Sequence, residues 1–380
     1  MKLQLPKGMR DINPEDKILR DSITNELKKT FEVYGFNSLE TPIVERFDIL
    51  ANKFGAGESS DAMKETFKLK DQGSRDLGLR FDLTVPLARY IAMNPNIKLP
   101  FKRYQIGEVF RDGPIKLGRY REFWQCDVDV VGTRNMLADA ELIKLSLEVF
   151  QKLKLNASME INNRKLLESL MKNAGVKKEK LQDTIIIIDK LQKLGLKGVK
   201  EELSKILDEK TLEEITKILK IEGTAQQIFD QLEPLIKGAD GREGIEELKK
   251  LFSYFNKKQK ENIKLNLSLA RGFGYYTGTI FEGFLNDSQV TSSICGGGRY
   301  DRMIGNYAGS GEYPAVGISF GLDVISEAIK IENPDQIKTK VKIYVIPIKT
   351  TKEVIQKSTS EAIKVIDKLR KEGIPVDMDR

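Results

Sequence analysis

Residues 101–131 read FKRYQIGEVF-RDGPIKLGRYR-EFWQCDVDVV, two strand-like runs separated by a loop. The runs 101–110 and 122–131 are rich in aromatic and β-branched residues, which favour strands. The segment between them contains glycine, proline and several cations, a composition typical of a long connection between paired strands. We therefore predict an antiparallel hairpin with a basic loop.

The second run of this hairpin has two different faces, because successive side chains of a strand point to opposite sides. One face carries Trp124, Cys126, Val128 and Val130, and the other carries Phe123, Gln125, Asp127 and Asp129. Two interpretations of the polar face stay open: it is exposed to solvent, or it lines a pocket for a cationic or hydrogen-bonding ligand. Arg111, which follows the first run, either lies near that pocket or forms a structural ion pair.

Two glycine-rich segments also carry candidate chemistry. In LARGFGYYTG (269–278), glycines flank Arg271 and precede two tyrosines. Glycine permits close approach of a ligand, and a guanidinium matches phosphate oxygens; alternatively, the segment is a bulged surface strand. The backbone amides of CGGGRYD (295–301) could cradle a nucleotide, or the segment is a flexible turn. Neither segment is a Walker A loop or a dinucleotide fingerprint.

The remaining chain predicts further strands and helices. We expect a helix at 16–34 ending at Gly35, a strand at 79–84 with Thr84 as the N-cap of the next helix, and a helix at 135–153. Helices should continue across the leucine-periodic segment 163–262, and strand character returns from about 265. A strand then passes through glycine into a helix at 313–330, and a β–α–β unit begins at 341.

Composition limits the class of protein. A chain of 380 residues predicts two or three domains. The net charge of +7 suits a polyanionic partner, or simply keeps the protein dispersed. Two cysteines and no apolar run near 18 residues predict a cytoplasmic protein that is neither secreted nor membrane-spanning.

The chain contains no histidine, which excludes every mechanism with a histidine base, nucleophile partner or metal ligand. Catalysis then depends on arginine, lysine, carboxylates, backbone amides and a hard cation held by oxygen atoms.

In order along the chain, six segments together resemble the histidyl-tRNA synthetase family, which belongs to the class II aminoacyl-tRNA synthetases. The segments are ETPIVE (40–45), RFDLTVPLARY (80–90), residues 110–132, LARGFGYYTGTIFE (269–282), SICGGGRYD (293–301) and PAVGISFGLD (314–323).

The resemblance implies an α+β fold, a class II antiparallel sheet flanked by helices, in a homodimer. It divides the chain into a first catalytic part (1–162), a helical insertion (163–262) that contacts tRNA, a second catalytic part (263–337), and the start of a C-terminal α/β anticodon-binding domain (338–380), which looks truncated at Arg380. We expect neither a membrane nor DNA as a partner.

The implied reaction joins L-histidine to tRNA-His. Histidine and ATP, with Mg²⁺, give histidyl-adenylate, and the histidyl group then passes to the 3′ end of the tRNA. The alternative is an idle paralogue, the regulatory subunit of ATP phosphoribosyltransferase in histidine biosynthesis. The residues from 338 onward argue against it, because that paralogue has no anticodon domain.

The resemblance also assigns residues. The histidine site would contain Asp82, Leu83, Thr84, Gln125, Asp129, Tyr275 and Tyr276, and the ATP site Arg111, Asp112 and Arg271. Arg271 would be the chief catalytic group, assisted by Arg111, stabilising charge on the α-phosphate during in-line attack by the histidine carboxylate. No side chain is assigned as a ligand of Mg²⁺.

Three positions depart from the family pattern. Val324 stands where the family has an arginine for the γ-phosphate, Gly113 replaces an acidic residue for which Asp112 would substitute, and Gly274 replaces an aspartate. Losing one such arginine costs about 1.5–3 kcal/mol of charge-assisted hydrogen bonding, unless Arg299, Arg302 or a second metal compensates.

Overall fold

The predicted hairpin forms the middle of a larger mixed sheet. The computed structural model describes residues 3–52, 61–115, 118–271, 275–309, 311–333, 339–348 and 350–379. In these residues the strands are β1 (Asn37–Ser38), β2 (Val44–Arg46), β3 (Lys68–Lys70), β4 (Asp76–Leu79), β5 (Phe101–Phe110), β6 (Glu122–Val131), β7 (Ala157–Asn163), β8 (Ile263–Leu265), β9 (Thr279–Leu285), β10 (Cys295–Arg299), β11 (Ala315–Gly321), β12 (Ile343–Val345) and β13 (Val376–Met378).

Helices precede, flank and follow these strands. They are α1 (Pro14–Val33), α2 (Phe47–Asn52), α3 (Asp61–Lys64), α4 (Thr84–Met93), α5 (Met136–Lys152), α6 (Arg164–Asn173), α7 (Leu181–Ile188), α8 (Leu191–Leu203), α9 (Glu209–Leu219), α10 (Ala225–Leu232), α11 (Ala239–Ser253), α12 (Lys257–Lys260), α13 (Met303–Ala308), α14 (Leu322–Glu332) and α15 (Lys352–Lys371). None of these described helices is long and apolar enough to cross a bilayer.

Eight strands form the central sheet in the order β1-β5-β6-β11-β10-β9-β7-β8. Its inner pairs are antiparallel, and the two edge pairs, β1 with β5 and β7 with β8, are parallel. In the hairpin, Phe101 pairs with Val131 and Phe110 with Glu122. A mixed sheet flanked by helices confirms the predicted α+β class.

The apolar face of β6 lies in the core. Cys126, Val128 and Val130 are buried, and the Phe31 ring of α1 contacts the rings of Tyr104 on β5 and Phe320 on β11 at 5.6 and 5.8 Å between centroids. One face of the sheet is therefore a conventional hydrophobic core, which leaves the opposite face for polar side chains.

The prediction of a strand at 79–84 is wrong beyond its first residue, since β4 ends at Leu79. The reason is local hydrogen bonding. Asp82 Oδ1 accepts hydrogen bonds from the backbone N–H groups of Thr84, at 3.1 Å, and Val85, at 2.9 Å, and such bonds favour the start of a helix. Thr84 is therefore the first residue of α4 rather than its N-cap.

By compactness the chain divides into two units, residues 1–10 with 24–329 and residues 11–23 with 330–380. Within the first unit, helices α6–α12 occupy the stretch between β7 and β8. Within the second unit, β12 and β13 pair in parallel and α15 connects them, which gives the β–α–β order expected there. The domain boundaries after residues 162, 262 and 337 stay predictions.

Candidate active site

The face of the central sheet opposite the apolar core carries two rows of paired residues. The strand register aligns Gln105, Asp127, Ser319, Gly296 and Glu282 in one row, and Arg103, Asp129, Gly317, Gly298 and Ile280 in the next. Directly paired residues point to the same side of a sheet, so these residues share one surface.

This polar surface is buried, and the solvent-exposed interpretation of the β6 face is therefore wrong. Asp127 and Asp129 are each 3% exposed. Ionised side chains are almost never buried to this degree unless they are paired. The neighbours of each carboxylate consequently define what the surface can do.

Asp129 has two partners on the protein. The Tyr300 hydroxyl donates to Asp129 Oδ1 at 2.5 Å, and Arg103 Nη2 lies 2.8 Å from Asp129 Oδ2 as an ion pair. Arg103, which is fully buried, also donates from Nη2 to the Leu83 carbonyl at 3.1 Å. Burial raises the pKa of Asp129, and Arg103 and Tyr300 oppose that rise.

Asp127 is less fully partnered. Burial raises its pKa to about 7, the nearby Asp129 and Asp82 carboxylates add to the rise, and Arg103 together with a hydrogen bond from Ser319 opposes it. Among the described residues, Asp127 Oδ1 has no hydrogen-bond partner, and neither does Gln125 Oε1. Asp129 Oδ2 also accepts no hydrogen bond but has the Arg103 ion pair, so among the described residues Asp127 Oδ1 and Gln125 Oε1 are the buried β6 acceptors with neither kind of partner.

Arg271 lies over the glycine strand β10. An ideal Cβ at Gly296 would lie 2.7 Å from Arg271 Cζ, so an alanine there would displace the guanidinium. Arg271 Nη1 pairs with Glu282 of β9 and donates to Ser293 Oγ at 3.2 Å. The Glu282 carboxylate is the main reason that the pKa of Arg271 is raised.

The triple glycine is a strand, and both the cradle and the flexible turn expected there are wrong. Its backbone pairs with β9 and β11, so its amides are not free to hold a nucleotide. Glycine is required because other side chains occupy the spaces above the strands. The Tyr276 ring lies 2.9 Å from an ideal Cβ at Gly298, and Asp129 occupies the corresponding space at Gly317.

Arg111 lies between two aromatic rings. Its Cζ is 4.3 Å from the Phe81 ring centroid and 4.9 Å from that of Phe123, and its Nε donates to the Phe81 carbonyl at 3.2 Å. Burial is the main reason that the pKa of Arg111 is lowered. Asp82 opposes the change, and Arg119 and Arg271 add to it. Arg111 and Arg271 are thus close enough to repel each other, an arrangement that suits a polyanion between them.

The two tyrosines adjoin this pair of arginines. Their ring centroids are 4.3 Å apart. Burial raises the pKa of Tyr275 to about 12, and Asp82, Arg271 and Asp127 all act on it. Gly272, Phe273 and Gly274 lie outside the described residues, including the glycine that replaces the family aspartate.

Two expected phosphate contacts have other partners. Asp112 Oδ1 lies 2.5 Å from Arg121 Nη1 on the loop between β5 and β6. Arg299, expected to compensate for Val324, is buried and pairs with Asp139, so it is not available to a phosphate. Val324 itself adjoins the loop, with its Cγ2 3.5 Å from an ideal Cβ at Gly118.

Sequence reasoning missed four side chains of this surface. They are Arg103, Glu282, Tyr300 and Ser319. The first had a usable signal, because pairing of the ends of the predicted hairpin already places Arg103 opposite Asp129. The other three lie on β9 and β11 or directly after β10, and no local pattern indicated where these strands lie in the sheet.

Comparison with known proteins gives the family. A family model described as Histidyl-tRNA synthetase matches residues 8–325. The chain belongs to this family. The predicted family, its class of enzyme and the α+β fold are thereby confirmed.

Individual relatives agree with the family model. Histidine–tRNA ligase 1 of a Bacillus cereus strain is 42% identical over 360 residues, which cover 94% of this chain and 83% of the relative. Histidine–tRNA ligase 2 of Shouchella clausii is 42% identical over 98% of this chain and 86% of the relative. The crystal structure of histidyl-tRNA synthetase from Nostoc sp. PCC 7120 superposes with a TM-score of 0.84 at 29% identity, covering 100% of this chain and 86% of that one.

Proposed function

We propose that this chain joins histidine to tRNA-His in two steps. Histidine and ATP give histidyl-adenylate and pyrophosphate, and the histidyl group then passes to the terminal ribose of the tRNA. The observation that carries the proposal is that Arg111 and Arg271 lie close to Asp82, Tyr275 and Asp127. The family uses ATP, and the relatives named above carry the ligase name, which favours this function over the regulatory paralogue.

The two arginines form the anionic end of the proposed site. A phosphate between Arg111 and Arg271 would relieve their mutual repulsion and accept charge-assisted hydrogen bonds. Glu282 holds the Arg271 guanidinium over Gly296, so the donor is in place before charge develops on the α-phosphate. The attacking histidine carboxylate is already ionised, so adenylation needs no general base and a chain without histidine can perform it.

The carboxylates and amide form the opposite end. Asp82, Gln125 and Asp129 supply acceptors, and Tyr275 and Tyr276 supply aromatic walls for an imidazole. The Asp82 carboxylate caps α4, which fixes Leu83 and Thr84 beside it. We propose these residues as the histidine site because the resemblance assigns them there.

Magnesium fits as a companion of ATP. Among the described residues, no group of three or more histidine, cysteine, aspartate or glutamate side chains could hold a metal ion. Mg²⁺ in nucleotide sites often takes most of its ligands from phosphates and water, where it would neutralise phosphate charge. We assign no side chain of this chain to it.

Charging of tRNA-His tests the proposal directly. Purified protein should transfer labelled histidine, and none of the other nineteen amino acids at a comparable rate, to a tRNA-His transcript. Transfer of another amino acid at a comparable rate, or transfer of none at all, would contradict the proposal. A tRNA-His transcript with a periodate-oxidised 3′ ribose is the matched control, because it binds alike and offers no acceptor hydroxyl.

A further inference from the structure

The two buried carboxylates of β6, Asp127 and Asp129, differ in the partners of their oxygen atoms. Asp129 Oδ1 accepts a hydrogen bond from Tyr300, and its Oδ2, which accepts none among the described residues, lies 2.8 Å from Arg103 Nη2 as an ion pair. Asp127 is equally buried, yet its Oδ1 has no partner among the described residues, and Ser319 hydrogen bonds to the same carboxylate. A buried acceptor without a donor is costly, and native proteins seldom keep one without a function.

The row that contains Asp127 continues over small side chains. From Asp127 the row continues through Ser319 to Gly296, where Arg271 lies. Adjacent strands are about 4.8 Å apart, so Asp127 and Gly296 are separated by about 10 Å. Only a small hydroxyl side chain and a glycine lie between them, and Ser319 is partly exposed.

Larger side chains cover the neighbouring row. There Asp129 covers Gly317, and the Tyr276 ring covers Gly298. Of the two rows, only the Asp127 row therefore has small residues alone between a carboxylate and a guanidinium. The separation of about 10 Å suits a zwitterion of amino-acid length, with its nitrogen atoms toward Asp127 and its carboxylate toward Arg271.

We infer that Asp127 is a specificity-determining residue whose free Oδ1 accepts an N–H of the bound histidine. The inference rests on the proposed function and adds a contact to the histidine site expected from Asp82, Gln125 and Asp129. Two members of that expected site are neighbours of Asp127, since Asp82 helps to raise the pKa of Asp127 and Asp127 helps to raise the pKa of Tyr275. A site built around a buried acceptor rejects ligands that lack the matching donor.

Asp127→Asn tests this with little change of shape. We expect the Kd for histidine, measured by isothermal titration calorimetry, to rise roughly 10- to 100-fold, as for loss of a charge-assisted hydrogen bond. The Kd for ATP alone should stay within about twofold. In ATP–pyrophosphate exchange, the KM for histidine should rise more than kcat falls. Asp230→Asn, the same change on exposed α10, is the matched control.

Comparing two ligands shows which N–H group of histidine donates to Asp127. If Asp127 meets the imidazole, Asp127→Asn should weaken binding of imidazole-4-propionate as much as that of histidine; if it meets the ammonium group, only histidine should weaken. Unchanged histidine affinity in a folded Asp127→Asn protein overturns the inference and leaves the proposed function intact. Wild-type protein that binds no histidine instead contradicts the proposed function.

Discussion

Gly296 lies beneath the Arg271 guanidinium, where a larger residue would not fit without displacing it. A methyl group at this position would lie 2.7 Å from Arg271 Cζ, closer than carbon atoms approach without displacement. We expect Gly296→Ala to move the guanidinium from its place and to lower the ATP–pyrophosphate exchange rate about 10- to 100-fold, since misplacing a catalytic group by about 1 Å has this effect.

Gly73→Ala provides the comparison for that variant. Gly73 lies in an exposed turn, and an added Cβ there would have no neighbour closer than 3.4 Å. Its exchange rate should match wild type. Full activity of folded Gly296→Ala would show that Arg271 does not need its observed position.

Asp127 also predicts an unusual dependence of stability on pH. Its pKa in the folded protein is raised to about 7, chiefly by burial, with Asp129 and Asp82 adding to the rise and Arg103 and Ser319 opposing it. An unfolded carboxyl titrates near about 3.9. Between these values the folded state binds more protons than the unfolded state, so this group's contribution to stability is lost as pH rises.

Asp127→Asn removes that titration. We expect the variant to exceed wild type in unfolding free energy by about 1–4 kcal/mol at pH 8, and the difference to shrink toward pH 4. Urea unfolding at pH 5 and pH 8 measures it. An equal difference at both pH values would mean that Asp127 is ionised throughout.

At the scale of elements, Arg103 connects three segments of the site. It lies on β5, pairs with Asp129 of β6, and donates to the Leu83 carbonyl just before α4. Arg103→Met leaves a buried carboxylate without its cation, which typically costs about 3–5 kcal/mol. We expect that loss in urea unfolding, and partial recovery when Asp129→Asn is added. A loss below about 1 kcal/mol would contradict the connecting role.

The same scale shows what local sequence patterns can predict. The bounds of β5 and β6 match the predicted runs, and α5 lies within the predicted 135–153, because alternation and helical periodicity are local signals. The strand expected at 79–84 failed, because the Asp82 side chain competes with the backbone for its own amides. The glycine strand β10 has no side chains to alternate, so only its two neighbours define it.

The residues of the site also divide into those that local motifs predict and those that depend on long-range strand pairing. The resemblance named Arg111, Arg271, Asp82 and the tyrosine pair, and the structure brings these together. Glu282, Ser319 and Tyr300 depend on the pairing of strands far apart in sequence, which no single segment encodes. Their roles became visible only through the sheet register.

For the whole molecule, we propose a homodimer, as the resemblance implies. The three-stranded sheet of β2, β4 and β3 exposes the apolar side chains of Val44 and Leu69, and Ile43, just before β2, is exposed beside them. An exposed apolar patch often marks an interface. Light scattering should give about twice the chain mass of 43.1 kDa. Val44→Asp should shift the mass toward the monomer, while Lys70→Asp, on the same small sheet but already polar, should shift it less. A wild-type monomer would contradict the prediction.

Histidine-dependent ATP–pyrophosphate exchange, with Arg271→Ala beside wild type, tests the proposed function most directly. We predict exchange that requires histidine and falls at least about 100-fold in the variant, since removing one preorganised donor costs roughly this much. Exchange that survives in folded Arg271→Ala, or wild-type protein that binds histidine without any exchange, would contradict the assignment of adenylation to this site.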